Sequence, residues 1–401
     1  MKIAYICEPQ IGGTYTSFRQ VRERLLPRGI DYRCVPPVDG KAFRNTRFAH
    51  DEGVDFIDYP QDEPAAMARR LVAHLQAERF AAMVVLPGCY PFVSSLPSYL
   101  PRAIRCLARL ALNARGVYWP TALVADHYDR IVAVAPRLRN DLVAKYHVPA
   151  ERVEVIANGV DTGRFCPGPA ASAQRAIFVG RLEDVQKDVF LLPKILARVR
   201  ETGAEAHLTV AGAGPDAERL RARFLAAGQE GHFTLLGQVA PAELPAILRT
   251  CGVFLLPSRF EGCSNATLEA MASGCVPLLS RLPGISDHVA IEGESGFLFA
   301  PGDWRGMAAA WGRLMGSEET WRRMQTAARD QMASGFSLER MADGYARVFA
   351  EVLAAPDRRP PPRPLAEFTV HPGLAPSWRR WIPAGAKKQL RTWAARMGIS
   401  P

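Results

Sequence analysis

Two cationic and two acidic side chains in the second half of the chain have a spacing that suits a phosphorylated sugar. Arg181 follows an apolar run, and Lys187 lies six residues after it. Glu261 and Glu269 are eight residues apart. Fixed cations bind phosphate oxygens, whereas carboxylates accept hydrogen bonds from the hydroxyl groups of a ribose or a hexose. Together these four side chains predict a nucleotide-sugar site.

Two glycine turns and one helix start add backbone groups to this set. Gly180 directly follows one strand-like run, and Gly212 follows the next. A helical pattern begins near Ser264 or Asn265, where backbone N–H groups and the helix dipole favour an anion. Ligands of doubly wound sheets bind at the carboxyl ends of parallel strands, so we expect these groups at one edge of a sheet.

Each of these residues also has an ordinary structural interpretation. Arg181 and Lys187 alone would be a solvated pair at a helix start, but the acidic pair downstream favours a ligand site. Glu269 alone would be an exposed helix carboxylate, yet its apolar neighbours predict a mostly buried helix. The sequence Gly212-Ala213-Gly214 lacks the third glycine and the acidic residue of a dinucleotide fingerprint, which favours a tight turn over an oxidoreductase.

Short apolar runs alternate with amphipathic stretches along most of the chain. This alternation predicts an α/β fold with parallel sheets covered on both faces. In the first half, the predicted strands are 2–7, 83–86 and 130–134, with a helix over 17–26. In the second half, the predicted strands are 176–179, 207–211, 233–235, 253–256 and 277–279, with helices over 191–200, from the turn 212–215 to about 227, and over 265–273.

Two breaks in these patterns divide the chain. Pro and Gly interrupt both periodicities at 165–169. A second stretch, 356–364, is rich in Pro and Arg and predicts an extended linker. We therefore expect an N-terminal domain over 1–165 and a C-terminal domain over 170–345. The remainder, 346–401, would hold a crossover helix, the linker and a basic tail.

Composition and charge narrow the class of protein. Hydrophobic residues make up 48% of the 401 residues and charged residues 22%, which excludes wholesale disorder. Of the formal net charge of +10, +7 falls in 356–401. Three Trp accompany six Lys or Arg over 377–397, which suits an anionic membrane surface. Packing of this tail on the N-terminal domain is the alternative, and no nucleic acid is expected.

The cysteines and the N-terminus indicate a cytoplasmic protein. None of the eight cysteines forms a C-x-x-C pair or a Cys/His cluster with zinc spacing, so we expect reduced thiols. No run approaches 18 apolar residues, and the chain enters a strand at Lys2 without the apolar core of a signal peptide.

Six strings between residues 155 and 303 resemble glycosyltransferase family 4, a retaining family with the GT-B fold. In chain order they are VIANGVDTGRF, FVGRLEDVQKD, LTVAGAGPDAERL, LLGQVAPAELPAIL, LLPSRFEGCSNATLEAMASGCVPLLS and ESGFLFAPGD. The resemblance implies two Rossmann-like, doubly wound domains that face a cleft. The N-terminal domain would bind the acceptor, and the C-terminal domain would bind the donor.

The resemblance also implies a role for each candidate residue. Arg181 and Lys187 would hold the donor diphosphate and neutralise the leaving group. Glu261 would bind hydroxyls of the donor sugar, and Glu269 those of the ribose. The other implied donor contacts are Gly12 and Gly13 of the N-terminal domain, the turns at Gly180 and Gly212, the backbone at Ser264, Asn265 and Ala266, and Gln238 and Val239 beside the base. A flexible turn is the alternative interpretation of Gly12 and Gly13.

Charge explains how such a site would act. When the bond from sugar to phosphate breaks, negative charge grows on the diphosphate. Arg181 and Lys187 would stabilise that charge in a site closed to water. The two cations do the work of a metal ion, so no metal or other cofactor is expected.

The first half departs from the family pattern. Related enzymes have a His at a strand end of the N-terminal domain, and the corresponding stretch, 104–118, contains none. Cys106 and Asn113 are the nearest polar candidates. His127 follows in a stretch with a helical pattern, where a surface or helix histidine is the ordinary interpretation.

We therefore expect a cytoplasmic retaining glycosyltransferase, peripheral on the inner face of the membrane. It would move a hexose from a nucleotide-diphosphate sugar to a glycan, lipid-linked or small-molecule acceptor, in cell-surface polysaccharide or glycoconjugate synthesis. Two alternatives stay open. The missing His favours a nucleotide-sugar-binding protein with little or no transferase activity. The other alternative is a different GT-B sugar-nucleotide enzyme, such as an epimerase; a phosphorylase would need a lysine for pyridoxal phosphate, and no matching motif is present.

Overall fold

A computed structural model describes residues 1–10, 12–43, 46, 48, 50–59 and 63–374. The described chain forms two compact units. Among the described residues, unit 1 comprises Met1–Asn158 and 338–374, and unit 2 comprises Gly159–Ser337. The tail predicted to meet a membrane or the N-terminal domain, 377–397, lies outside the described residues.

Unit 1 contains a six-stranded parallel sheet with the strand order β2-β1-β3-β4-β5-β6. Its strands are β1 (Lys2–Ile6), β2 (Asp31–Cys34), β3 (Ala82–Val85), β4 (Arg105–Leu110), β5 (Arg130–Ala133) and β6 (Val153–Val155). Its first five helices are α1 (Gly13–Leu25), α2 (Pro64–Ala77), α3 (Pro91–Ser95), α4 (Arg115–Leu123) and α5 (Pro136–Tyr146).

Unit 2 contains a second six-stranded parallel sheet with the order β12-β11-β10-β7-β8-β9. Its strands are β7 (Arg175–Val179), β8 (His207–Ala211), β9 (Phe233–Gly237), β10 (Val253–Leu256), β11 (Val276–Ser280) and β12 (Phe297–Phe299). Its helices are α6 (Asp184–Lys187), α7 (Leu192–Arg200), α8 (Ala217–Ala226), α9 (Leu244–Leu248), α10 (Asn265–Ala272), α11 (Ser286–Val289), α12 (Trp304–Gly316) and α13 (Glu318–Gly335).

Short 3-10 helices occur in both units. They span Leu26–Arg28, Gly40–Phe43, Leu96–Tyr99, Ala125–His127, Ala150–Arg152, Val189–Leu191, Leu365–Glu367 and Pro372–Leu374.

The last long helix, α14 (Leu338–Ala354), returns the chain to unit 1 and completes its core. Its buried residues recur every three or four positions, the pattern of a helix that buries one face. Tyr345 and Phe349 lie against Tyr32 of β2, with ring centroids 6.4 and 5.8 Å apart. Residues 338–345 therefore belong to unit 1, whereas the sequence predicts that the C-terminal domain spans 170–345.

The sequence pattern correctly predicts the fold class. Near-continuous apolar runs such as AMVV in β3 and VFLL in β10 are buried at every residue, which is typical of parallel strands covered on both faces. The strand prediction 253–256 is confirmed residue for residue, and 207–211 likewise. The division between the units follows Asn158, ahead of the predicted break at 165–169.

Candidate functional site

The predicted donor residues follow three neighbouring strands of unit 2. β7 lies between β10 and β8, and all three run parallel. Gly180 follows β7 directly, Gly212 follows β8 directly, and Glu261 lies in the loop after β10. The carboxyl ends of these three parallel strands lie at one edge of the sheet, so the three residues lie at that edge. Doubly wound folds bind ligands there.

Lys187 and Glu261 form an ion pair at this edge. The Lys187 Nζ lies 2.6 Å from Glu261 Oε1. The side chains are 12% and 9% exposed, so most of the water around both charges is excluded. Each charged group has lost most of its hydration, and the opposite charge of its partner replaces part of the lost stabilisation. A phosphate or a sugar hydroxyl that enters here would meet a fixed cation beside a fixed carboxylate.

The glycines Gly212 and Gly214 are required because the turns after β7 and β8 touch. A Cβ atom at Gly212 would lie 1.8 Å from the carbonyl oxygen of Gly180. A Cβ atom at Gly214 would lie 2.4 Å from that of Leu182. The Leu182 N–H donates to Ala213 O at 2.9 Å and holds the two turns together. The stretch 212–214 is irregular, and a turn follows at Pro215 and Asp216.

The start of α10 supplies the predicted helix N-terminus. Ser264 is the capping residue, and its Oγ accepts a hydrogen bond from Thr267 N at 3.3 Å. Ser264, Asn265 and Ala266 are partly exposed, so this end of the helix is accessible. Gly274, with a φ of +81°, follows the other end of the helix. The predicted backbone contacts are thus available at the edge that holds Glu261.

Glu269 lies one turn further along α10 and is partly buried. Loss of water raises the pKa of its carboxyl from 4.5 to about 7, against the opposing charge of Arg164. The helix residues Leu268 and Ala270 beside it are fully buried, as the sequence predicts. At neutral pH, a hydrogen-bond donor brought by a ligand would therefore stabilise the charged carboxylate.

Arg181 differs from Lys187 in its surroundings. Its side chain is 67% exposed and lies 3.4 Å from Glu183 Oε2. The structure therefore places the two predicted phosphate ligands after the same strand, but Lys187 alone pairs with Glu261. An exposed guanidinium at a sheet edge can approach a ligand from the solvent side.

Gln238 and Val239 directly follow the edge strand β9. The Gly212 N–H donates to Gly237 O at 2.7 Å, which links the end of β9 to the glycine turn. Gln238 is exposed and Val239 is partly buried. Their predicted contact with a base stays a prediction.

Gly12 and Gly13 lie in unit 1, where Gly12 precedes α1 and Gly13 is its first residue. A Cβ atom at Gly12 would meet nothing within 4 Å, so local packing does not require glycine there. Their predicted contact with the diphosphate stays a prediction.

Arg259 is a positioning residue that sequence reasoning missed. Its guanidinium donates to the carbonyl of Asp184 and to the carboxylate of Asp188, both on or next to α6. Its backbone N–H donates to Gln186 O at 2.8 Å. These contacts fasten α6, which carries Lys187, to the loop that carries Glu261. The partners are more than 70 residues apart, so local spacing gave no signal.

In unit 1, a carboxylate and a tyrosine meet at the carboxyl edge of the sheet. Glu8 follows β1, and Tyr90 follows the neighbouring β3. The Tyr90 hydroxyl donates to Glu8 Oε2 at 2.6 Å, and burial raises its pKa. Asn113, after β4, accepts a hydrogen bond from the Tyr118 hydroxyl at 3.0 Å. Sequence reasoning missed Glu8 and Tyr90 because it searched for a histidine.

Two sequence candidates for the missing histidine lie elsewhere. Cys106 is buried in the first half of β4, away from the carboxyl end of that strand. His127 ends a short 3-10 helix that precedes β5, so it lies toward the amino-terminal edge of the sheet. Desolvation lowers its pKa. Of the three candidates, Asn113 alone lies at the carboxyl edge.

Within the part of the chain that the structure describes, no group of three or more His, Cys, Asp or Glu could hold a metal ion. No helix among residues 1–374, gaps aside, has the length and hydropathy that crossing a membrane requires.

Two family models match most of the chain. The model described as Glycosyltransferase Family 4 matches residues 11–164. The model described as Glycosyl transferases group 1 matches residues 173–317, which hold the Lys187–Glu261 pair.

Curated relatives match over somewhat more than half of the chain. The glycogen synthase of Mycobacterium tuberculosis is 29% identical over 263 residues, which are 64% of this chain and 62% of the relative. The MMP alpha-(1->4)-mannosyltransferase of Mycolicibacterium hassiacum is 29% identical over 234 residues, 58% of this chain and 56% of the relative. The match thus spans less than two thirds of either relative.

A solved structure resembles the fold over most of the chain. Anabaena Alr3699/HepE in complex with UDP-glucose superposes with a TM-score of 0.74. The superposition covers 88% of this chain and 100% of that chain at 16% sequence identity. At this identity the likeness concerns the fold alone.

Proposed function

The chain belongs to the GT-B glycosyltransferases, with a family 4 match in its first half and a group 1 match in its second, and from this premise we propose its reaction. It transfers a hexose from a nucleoside-diphosphate sugar to a glycan, lipid-linked or small-molecule acceptor. The transfer retains the configuration of the anomeric carbon.

The Lys187–Glu261 ion pair is the observation that carries this proposal. A cation and a carboxylate, both largely removed from water, lie 2.6 Å apart where three parallel strands end. The cation suits a diphosphate oxygen, and the carboxylate suits a sugar hydroxyl. A donor has a diphosphate part and a sugar part, so a site that binds both parts needs both residues. A pair that served stability alone would not have to lie at the carboxyl edge of the sheet.

Electrostatic stabilisation of the leaving group is the main catalytic contribution of this site. As the glycosidic bond breaks, the diphosphate gains negative charge, and Lys187 and Arg181 stabilise it. The start of α10, capped by Ser264, adds backbone N–H groups of the same polarity. Removal of one such group costs about 3 kcal/mol of transition-state stabilisation, or at least roughly a hundredfold in rate.

Glu269 and the β9 loop bind the nucleoside in this proposal. A ribose hydroxyl that donates to Glu269 stabilises its carboxylate, whose pKa burial has raised to about 7. Gln238 and Val239 lie beside the base. The UDP-glucose bound to the Anabaena relative supports a nucleotide-sugar donor here.

Glu8 and Tyr90 are the proposed acceptor residues. A carboxylate held by a tyrosine hydroxyl accepts a hydrogen bond from an acceptor hydroxyl and orients it. The pair lies at the carboxyl edge of the unit 1 sheet, where the family places its histidine. Asn113 lies at the same edge.

The proposed setting is cell-surface polysaccharide or glycoconjugate synthesis at the cytoplasmic face of the membrane. A GDP-mannose:cellobiosyl-diphosphopolyprenol alpha-mannosyltransferase of Komagataeibacter xylinus is 28% identical over 236 residues, which supports a lipid-linked acceptor. The basic Trp-containing stretch 377–397 would bind anionic lipid. No metal or other cofactor takes part.

A thermal-shift screen followed by a transfer assay tests the proposal. A donor that binds the folded chain raises its Tm. UDP, GDP and ADP and their glucose, mannose and galactose derivatives are compared in the presence of EDTA. In the thermal-shift screen, we expect one nucleotide to raise the Tm. In the transfer assay, the sugar derivative of that nucleotide should release it. A chain whose Tm responds to none of these compounds would contradict a donor site.

The absence of histidine in 104–118 favours a second candidate function. A nucleotide-sugar-binding protein with little transferase activity would bind a donor and release no nucleotide with any acceptor. An epimerase would interconvert donor sugars without an acceptor. NMR of the sugar anomeric protons during incubation separates transfer, epimerisation and mere binding.

A further inference from the structure

A cavity in unit 1 is lined by four arginines and does not belong to the predicted active site. Its volume is about 360 Å³, within the lower range of small-molecule pockets. The cationic lining residues are Arg130, Arg152, Arg358 and Arg359.

The cavity lies toward the amino-terminal edge of the unit 1 sheet. Tyr128 and Asp129 directly precede β5, and Arg152 directly precedes β6. Another part of the wall comes from the end of α14 and the segment after it, namely Val352, Ala355, Pro356, Arg358 and Arg359. Since every strand of this sheet is parallel, Glu8 and Tyr90 lie at the opposite edge. The cavity is therefore separate from the proposed acceptor residues.

Its polar groups are incompletely satisfied by the protein. Among the described residues, Arg359 Nη1, Arg130 Nε and the Tyr128 hydroxyl are buried and make no hydrogen bond. Arg359 is 6% exposed, and an arginine N–H so far from water is costly without an acceptor. All three atoms belong to residues that line the cavity.

The arginines are already held in place. Arg359 Nε and Nη2 donate to Asp357 at 3.0 and 2.9 Å. Arg130 Nη1 donates to Glu151 O at 2.6 Å. Arg152 Nη1 donates to three backbone carbonyls, among them Asp126 O at 3.0 Å. These contacts fix the guanidinium groups before a ligand arrives, which lowers the cost of binding.

The charge of the lining is positive. Four arginines and two acidic residues, Asp129 and Glu151, line the cavity. Glu351 lies 3.5 Å from Arg130, and Asp357 is shared by Arg359, Arg102 and Arg105. Six arginines thus stand against four carboxylates around the cavity. Asp129 is already engaged, because its carboxylate lies 2.7 Å from Arg105 Nη1 and accepts from Cys106 N at 2.8 Å. Arg358 is exposed and gives the cavity a cationic wall at the surface. An anion is thus favoured over a neutral sugar.

We infer that this cavity binds a phosphomonoester. Its three terminal oxygens accept hydrogen bonds from several directions, and guanidinium forks match phosphate geometry. The volume leaves room for the group that the phosphate esterifies, such as a hexose or the glycerol of a lipid headgroup. Soluble sugar phosphates and phosphatidic acid share this chemistry, and the experiment distinguishes them.

Titration calorimetry with the full chain tests the inference with glucose 6-phosphate, inorganic phosphate and glucose as probes. We expect glucose 6-phosphate to bind, inorganic phosphate to bind more weakly, and glucose not to bind. Loss of one charged hydrogen bond lowers affinity about tenfold or more. Arg358→Gln and Arg130→Gln should each show this loss. Arg358 is exposed, so its variant keeps the fold.

Arg69→Ala is the matched control, since Arg69 is an exposed arginine of α2 in the same unit. It should bind glucose 6-phosphate like the wild type. A second arm measures sedimentation with phosphatidic acid vesicles and with phosphatidylcholine vesicles. Vesicle binding that both pocket variants lose identifies a lipid headgroup, whereas binding of glucose 6-phosphate alone identifies a soluble ligand.

Three outcomes overturn the inference. The wild type binds none of the phosphate probes, or both pocket variants bind them as the wild type does, or Arg69→Ala loses as much affinity as they do. None of these outcomes bears on donor binding, which the thermal-shift screen measures at the other unit.

Discussion

The Nζ of Lys187 lies 2.6 Å from Oε1 of Glu261, although the two residues are 74 positions apart in the chain. Both side chains are at least 88% shielded from water, as their exposures of 12% and 9% require. Removing one partner leaves the other charge buried without compensation, which costs about 3–5 kcal/mol in such pairs. The pair therefore couples stability to the proposed donor site.

A variant cycle separates these two roles. Lys187→Met and Glu261→Gln should each lower the free energy of unfolding by about 3 kcal/mol, and the double variant should recover much of that loss. Donor binding should not recover, because neither the phosphate nor the sugar regains its partner. Chemical denaturation and thermal shift with the donor measure the two quantities. If the double variant recovered donor binding as well as the free energy of unfolding, a role of the pair in donor binding would be contradicted.

Lys194→Met is the matched control for this cycle. Lys194 is an exposed lysine of α7 in the same unit. Its substitution should change the free energy of unfolding by less than about 0.5 kcal/mol and leave donor binding unchanged.

Glu269 makes stability depend on pH. Its pKa is raised from 4.5 in the unfolded chain to about 7 in the folded one, chiefly by loss of water. The folded state therefore holds a proton that the unfolded state has released between these values. Stability is highest below pH 4.5 with respect to this group and falls as pH rises to about 7. Glu269→Gln removes this dependence and should be more stable than the wild type at pH 8, by at most about 3 kcal/mol.

Donor binding should release a proton through the same residue. A ribose hydroxyl that donates to Glu269 favours its carboxylate form and lowers its pKa. Calorimetry of nucleotide binding near pH 6.5, in buffers that differ in ionisation enthalpy, measures the protons released. We expect release by the wild type and less by Glu269→Gln. Equal release by both proteins would contradict contact between the nucleoside and Glu269.

The strand-end residues of unit 2 could be predicted from sequence because each follows a strand whose residues are mostly buried. Gly180, Gly212 and the start of α10 are fixed by local chain geometry, so short patterns suffice to place them. The edge strands were harder. β2 alternates between partly buried and buried residues, and the edge strand β12 has only three residues, so neither gives a long apolar run.

Contacts between distant residues could not be predicted in the same way. The Lys187–Glu261 distance depends on Arg259, which joins two segments that no sequence period relates. The Glu8–Tyr90 contact depends on β1 and β3 being neighbours, although β2 lies between them in the chain. Side chains at adjacent strand ends meet only once the strand order is known.

Arg259 should set the position of Lys187. Its guanidinium pairs with Asp188 and Asp184 and is 8% exposed. Arg259→Gln should destabilise the chain by about 3 kcal/mol, because two carboxylates lose a buried partner. Donor KM should rise, since Lys187 and Glu261 no longer share a fixed geometry. Steady-state kinetics at a temperature where the variant stays folded measure the change.

The control for Arg259 is Arg281→Gln. Arg281 belongs to an exposed pair with Glu292 in the same unit, with side chains 45% and 46% exposed. Such pairs contribute at most about 1 kcal/mol, so neither stability nor donor KM should change much. A donor KM that Arg259→Gln leaves at the wild-type value would refute the positioning role, whatever the loss of stability.

Glu8 and Tyr90 should affect the acceptor without affecting the donor. Their hydrogen bond of 2.6 Å lies in unit 1, whereas the proposed donor residues Lys187 and Glu269 lie in unit 2. Glu8→Gln should lower the rate of transfer roughly a hundredfold, since an amide orients an acceptor hydroxyl less well than a carboxylate does. Tyr90→Phe should have a smaller effect, because the carboxylate remains. The Tm shift produced by the nucleotide should be that of the wild type in both variants.

The control is Glu23→Gln, since Glu23 is an exposed glutamate of α1. This variant should transfer sugar at the wild-type rate. If Glu8→Gln keeps the wild-type transfer rate and acceptor KM, the acceptor hydroxyl is oriented by another group at this edge, and Asn113→Ala then becomes the variant that must lose activity.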